Sequence, residues 1–117
     1  MRLTEIDFGE ARPVDGYGPG FFRIGGAVYQ GAVLTGTFGT SGWGGYDDLE
    51  PLLAVVEKVD VIFFGTGAEV AHLPSALRAA LEEAGIGVEA MNSPAACRTY
   101  NVLVSEGRRV ALAALPV

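Results

Sequence analysis

The run Val59-Asp60-Val61-Ile62-Phe63-Phe64-Gly65-Thr66-Gly67 decides the architecture. Apart from Asp60, its first six residues are apolar and either β-branched or aromatic, so a strand built from them has no polar face to turn to water. Such a strand is buried on both sides, as in the interior of a parallel sheet. The glycines that follow let the chain turn sharply away. Downstream, Pro74 to Ala84 reads as a helix with Leu73, Leu77, Leu81 and Ala84 inward and Gly85 ending it. Ile86-Gly87-Val88-Glu89-Ala90 is a second strand, a helix starting at Ser93 runs to about Gly107, and Arg109 to Leu115 is the closing strand. The order β, α, β, α, β calls for right-handed crossovers, with the helices packed on the sheet.

Upstream, Asp47 and Glu50 resemble a capping box opening a helix to about Val56, with Leu49, Leu52, Leu53 and Val56 on its inner face. Pro51 is tolerated there because it lies near the first turn. The glycine-rich loop Thr40 to Tyr46 carries two aromatics, Trp43 and Tyr46, and either joins two layers or covers a crevice. Phe21 to Ile24 and Ala27 to Gln30 form a hairpin, because Gly25-Gly26 supplies the positive φ that a two-residue turn requires. Val33-Leu34 and Thr37-Phe38 continue the β pattern, and residues 1–20 read as an irregular entry. The expectation is a single α/β domain spanning 1–117, with an N-terminal antiparallel β layer at about 1–40 and a βαβαβ part at about 47–117.

At 117 residues the chain can bury roughly two thirds of the surface its unfolded form exposes, without a disulfide or metal staple. The single cysteine fits a reducing compartment. No apolar run approaches the roughly 20 residues needed to cross a bilayer, and Met1 to Phe8 has acids where a secretory signal has its apolar core. A cytoplasmic location and no membrane insertion are expected. The formal charge of −6 repels phosphate backbones, so nucleic acid is not an expected partner.

Candidate chemistry gathers beyond the carboxyl ends of the parallel strands, where α/β sheets bind ligands. There Gly65, Thr66 and Gly67 follow the first strand, and Ser93 follows the second. Ser93 is a suitable N-cap and Pro94 a suitable first helical residue. Arg98 and Asn101 fall at i, i+3 on one polar stripe. An arginine in the first turn opposes the helix dipole, so it either pairs with a carboxylate, Glu89 or Glu69, or joins free N–H groups in holding an anion or an acidic partner group. The G-x-G of 65–67 lacks the third glycine of a dinucleotide fingerprint, and no Gly-Lys-Ser/Thr makes it a P-loop. Its bland reading is a sharp turn.

Cys97 sits near a helix N-terminus, which lowers thiol pKa, but no base stands beside it in sequence and a small cysteine there also suits packing. With His72 as the only histidine, no multi-histidine metal site exists within one chain. No catalytic set, metal or cofactor is expected.

The segments Phe63-Phe64-Gly65-Thr66-Gly67, Ala84-Gly85-Ile86-Gly87-Val88-Glu89, Ala95-Ala96-Cys97-Arg98-Thr99-Tyr100-Asn101-Val102-Leu103 and Glu106-Gly107-Arg108-Arg109-Val110-Ala111 together resemble one family. It comprises small bacterial and archaeal proteins similar to the mitochondrial respiratory complex I assembly factor three, and the resemblance covers essentially the whole chain. It implies a three-layer fold: a central mixed sheet with helices and an added β layer, one strand running antiparallel to the others. The closing strand is the expected exception. It also implies a role in protein assembly for the mitochondrial relatives, with no enzymatic activity established. With acids early and few arginines, this chain looks like a free-standing bacterial form without a transit segment.

Two functions follow as expectations. The first is a non-enzymatic accessory, assembly or interaction factor that engages a protein partner through the surface around Arg98 and the loop Gly42 to Tyr46, or pairs as a homodimer. The second is a binder or enzyme for a small anionic metabolite in a crevice between Gly65-Thr66-Gly67 and Ser93 to Asn101, with Arg98 as counter-charge, Ser93 as donor and Asn101 as orienter.

Overall fold

The computed structural model describes residues 11–117, so the reading of Met1 to Phe8 lies outside it. Among the described residues, two sheets and three helices make a single mixed α/β domain. The first sheet comprises β1 (Val14–Gly18), β2 (Phe21–Ile24) and β3 (Ala27–Gln30), antiparallel throughout. The β2–β3 hairpin is the expected one, with Gly25 at φ 58° and Gly26 at φ 85°. The preceding strand β1 lies where an irregular segment was expected. Its two glycines, Gly16 and Gly18, hide a β pattern that pairing with β2 stabilises.

The second sheet holds β4 (Val33–Gly36), β5 (Gly39–Gly42), β6 (Val61–Thr66), β7 (Gly87–Met91) and β8 (Val110–Leu115), in the order β5-β4-β8-β6-β7. The antiparallel β layer thus ends at Gln30, and the strands from Val33 onward join the central sheet. β6, β7 and β8 run parallel, as the βαβαβ order requires. β4 opposes both β8 and β5, so β4 is the one strand running against the other four. The closing strand β8 was expected in that role. Its placement follows from the crossover through the last helix, which returns the chain in the direction of β6.

Alternation along the central strands divides the core into two apolar layers. Ile62 and Phe64 of β6, with Ala111 and Ala113 of β8, face Leu52, Leu77 and Leu81. Phe63, Val110, Leu112 and Ala114 face Phe22 and Ile24 of the small sheet and Ala96, Cys97 and Tyr100. The helices therefore flank the sheet on opposite sides: α1 (Glu50–Leu53) and α2 (Ser75–Glu83) on one, and α3 (Ser93–Ser105) with the small sheet on the other.

α1 is much shorter than expected. The Asp47 capping box does not form: Leu49 is the N-cap, with no side-chain hydrogen bond, and the Asp48 carboxylate instead accepts from the Gly44 N–H at 2.9 Å. After Leu53 the chain continues in turns, with Val55 buried and Leu53 exposed, the reverse of a continuous helical stripe through Val56. The aromatic loop acts as a connector. Trp43 is 6% exposed, donates its indole N–H to the Asp48 carbonyl at 3.0 Å, and packs on Phe64 at 5.9 Å and on Tyr46 at 6.1 Å.

Candidate functional site

The loops after β6 and β7 lead to helices on opposite faces of the sheet, the condition under which adjacent strand ends part and open a crevice. At that point, however, the Ser93 side chain lies across the gap. Its hydroxyl donates to the Leu115 carbonyl at 2.6 Å and accepts from the Gly67 N–H at 2.9 Å, while the Ser93 N–H donates to the Gly67 carbonyl at 2.7 Å. Three strand ends are tied together by one buried serine. Gly65 leaves room for it: a Cβ there would stand 2.6 Å from Ser93 Oγ and 2.9 Å from Ser93 Cα. Thr66 adds a second tie, its hydroxyl within 2.6 Å of the Glu69 carbonyl and 3.2 Å of the Met91 carbonyl.

Because Ser93 is drawn inward, it does not cap the helix. Asn92 is the N-cap, and its side-chain oxygen accepts from the Ala95 N–H at 2.8 Å. The sequence places two good capping residues side by side, Asn92 and Ser93, and only the partners across the sheet end select between them.

Arg98 and Asn101, expected on one polar stripe, part company. The Asn101 amide turns toward β1 and binds the Val14 backbone twice, accepting from its N–H at 2.8 Å and donating to its carbonyl at 2.9 Å. It satisfies the backbone much as a neighbouring strand would, and so fixes the small sheet to α3. One residue earlier, the Tyr100 hydroxyl donates to the Arg12 carbonyl at 3.0 Å. Arg98 is exposed on the outer side of α3 and forms no ion pair with Glu69, Glu89 or any other acid among the described residues. Val102, one turn further along that side, is 55% exposed.

Thus Gly65, Thr66, Gly67 and Ser93 are brought together, Asn101 is directed to β1, and Arg98 stands apart. Among the described residues, concavities of the surface lie elsewhere. One, of about 470 Å³, runs beside β7 and α2 and includes His72; another, of about 340 Å³, adjoins the end of α3 and includes Thr37 and Arg108. Among the described residues no group of three or more His, Cys, Asp or Glu is placed to share a metal ion. No helix there is long and apolar enough to cross a membrane.

Cys97 is 3% exposed against the central sheet, and burial pushes its thiol up to about 11, the Arg98 charge offsetting part of the effect. A thiol so protonated is a poor nucleophile. Native protein at pH 8 is expected to leave a disulfide reagent such as DTNB unreacted, with one thiol titrating upon unfolding. Since the folded thiol holds its proton more tightly than the unfolded one, its contribution to stability is complete below about pH 9 and is lost as pH rises toward about 11. The loss is roughly 2 kcal/mol. Burial raises Tyr46 and Tyr100 as well, adding to the alkaline loss, so Cys97→Ala removes only its early part. Denaturant titrations of both proteins between pH 8 and 11 check this.

An uncharacterised protein of Rhodobacter capsulatus is 50% identical over 117 residues, covering all of this chain and 94% of that protein. The NADH dehydrogenase (ubiquinone) 1 alpha subcomplex assembly factor 3 of Danio rerio is 32% identical over 107 residues, 86% of this chain and 62% of the factor. The chain spans about two thirds of the length of such vertebrate factors, 67% for that of Homo sapiens. Among solved structures, one described as an outer membrane protein from Bartonella henselae superposes with a TM-score of 0.85 at 33% identity, over 95% of this chain and 99% of that one. A Mth938-like domain of Bordetella pertussis does so at 0.75 and 26%, over 99% and 92%. Alongside these similarities, the match of residues 14–115 to the family described as "Protein of unknown function (DUF498/DUF598)" completes the assignment: the chain belongs to that family.

Proposed function

We propose that this protein is a non-enzymatic accessory factor that acts by binding another protein in the cytoplasm. The observation carrying the reading is the division of polar groups in α3. Ser93 and Asn101, which a metabolite site at the sheet end would need as donor and orienter, spend their hydrogen bonds within the chain. Arg98 keeps its charge in solvent beside the exposed Val102, on a convex helix side suited to a protein surface rather than an enclosed ligand. The relatives named as respiratory complex assembly factors support the same class of role.

The test is affinity capture of the tagged protein from cells of its own source, run in parallel with Arg98→Ala. The expected result is a defined assembly retained by the parent and reduced at least fivefold by the variant. Because the side chain is exposed and carries no ion pair among the described residues, the two should melt within about 2 °C of each other. Recovery of the parent alone, together with binding of inorganic phosphate that Arg98→Ala removes, would overturn this reading in favour of an anion binder.

A further inference from the structure

β7 (Gly87–Met91) ends the central sheet, and among the described residues nothing pairs with its outer edge. An uncovered edge presents backbone N–H and C=O groups in the spacing a further strand requires. This edge also borders the concavity of about 470 Å³, whose floor includes Val88 and Ala90 and whose walls come from Val70 and Ala71 of the loop after β6 and from Arg78 of α2. Val70 is 66% exposed there. His72 and Glu89 line it too, Arg78 is engaged by Glu82 at 3.3 Å, and Val70, Ala71, Val88 and Ala90 make up its apolar part.

The middle residue of the edge, Glu89, selects the occupant. Val88 and Ala90 pack toward α2, so by alternation the Glu89 side chain leaves the strand on its other face while the residue still borders the groove; it is exposed and has no ion pair among the described residues. A second copy added antiparallel about the strand centre would set Glu89 against Glu89, and like charges directly opposite are destabilising. The formal charge of −6 on each chain opposes that pairing further. A strand bearing a lysine or arginine at that position meets no such opposition and gains a cross-strand ion pair.

We propose that the β7 edge and its groove receive an extended segment of a partner protein as a sixth strand, with small apolar side chains toward Val70, Val88 and Ala90 and a basic side chain opposite Glu89. Backbone pairing holds the segment, while the groove and the carboxylate choose its alternating apolar and basic pattern. This deepens the accessory-factor reading by naming a second surface, besides the Arg98 side of α3, and the chemistry of what it binds.

The probe is an acetylated, amidated heptapeptide of alternating valine and lysine, compared with valine–glutamate and valine–threonine peptides of the same length. Titration against the isotopically labelled protein, followed by amide NMR, is expected to shift resonances of residues 70–72 and 87–91 with the lysine peptide. Glu89→Lys should weaken that peptide at least tenfold and favour the glutamate peptide instead, with the melting temperature little changed. No binding at millimolar peptide, equal binding of all three, or shifts centred elsewhere would each overturn the proposal. So would a parent dimer in analytical ultracentrifugation that pairs through β7. Capture from source cells separates the two readings: an assembly retained by the parent and equally by Glu89→Lys sinks the edge site and leaves the accessory role standing. If the parent captures nothing, the accessory role fails, and the peptide titration alone then decides whether the edge accepts a strand.

Discussion

Gly65→Ala is expected to lower stability by about 3 kcal/mol, and Gly65→Val to prevent stable folding. The added Cβ meets Ser93 Oγ at 2.6 Å, Ser93 Cα at 2.9 Å and Ala114 Cβ at 3.1 Å, so both a side chain and backbone of α3 stand in its way. Moving Ser93 aside would break its bonds to Gly67 and Leu115 and open the junction of three strand ends. Ser93→Ala should itself cost about 2–4 kcal/mol, since it leaves the Gly67 N–H and the Leu115 carbonyl without that partner. The double variant should be less destabilised than the sum of the two by about 1 kcal/mol or more, because removing the hydroxyl removes part of the overlap. Urea denaturation of the four proteins measures the coupling. Strict additivity would mean that the hydroxyl does not fill the gap left by Gly65.

Phe64→Ala is expected to cost about 3–5 kcal/mol, a large share of the 5–15 kcal/mol typical of a domain this size. Phe64 is fully buried at the centre of β6, and its ring lies 5.9 Å from that of Trp43. The cavity left behind would open directly beneath the connector loop. Trp43 is the only tryptophan, so its fluorescence reports on the site. Folded Phe64→Ala should emit at longer wavelength and be quenched more readily by acrylamide than the parent, whereas Phe64→Leu, which keeps most of the volume, should cost under about 2 kcal/mol. Unchanged Trp43 emission in folded Phe64→Ala would show that the loop is held by Tyr46 and Asp48 rather than by this contact.

What was legible in the chain follows the range of the interactions involved. The β2–β3 hairpin, β6 and α2 were readable because the deciding residues are neighbours: Gly25-Gly26 turns the hairpin, an unbroken apolar run buries β6, and leucines at helical spacing orient α2. β1 was not readable, since glycines dilute its pattern and its register comes from β2 and from Asn101, 87 residues away. α1 is short because the expected Asp47 capping box does not form: Leu49 is the N-cap without a side-chain bond, and the adjacent Asp48 carboxylate is held by the Gly44 N–H. Placement of β4 beside β8, which makes it rather than β8 the reversed strand, rests on pairs such as Val33 with Ala114 that no local pattern announces.

The candidate site divides along the same line. Residue types and their order determined the buried strand, the helix starting near Ser93, the exposed charge of the molecule and the family to which the chain belongs. Only the tertiary structure decided that Ser93 closes the sheet end rather than capping α3, that Asn101 holds β1, and that Arg98 remains at the surface. A serine or an asparagine carries donors and acceptors whose use depends on which backbone groups folding leaves unpaired nearby, and those groups come from residues distant in the chain.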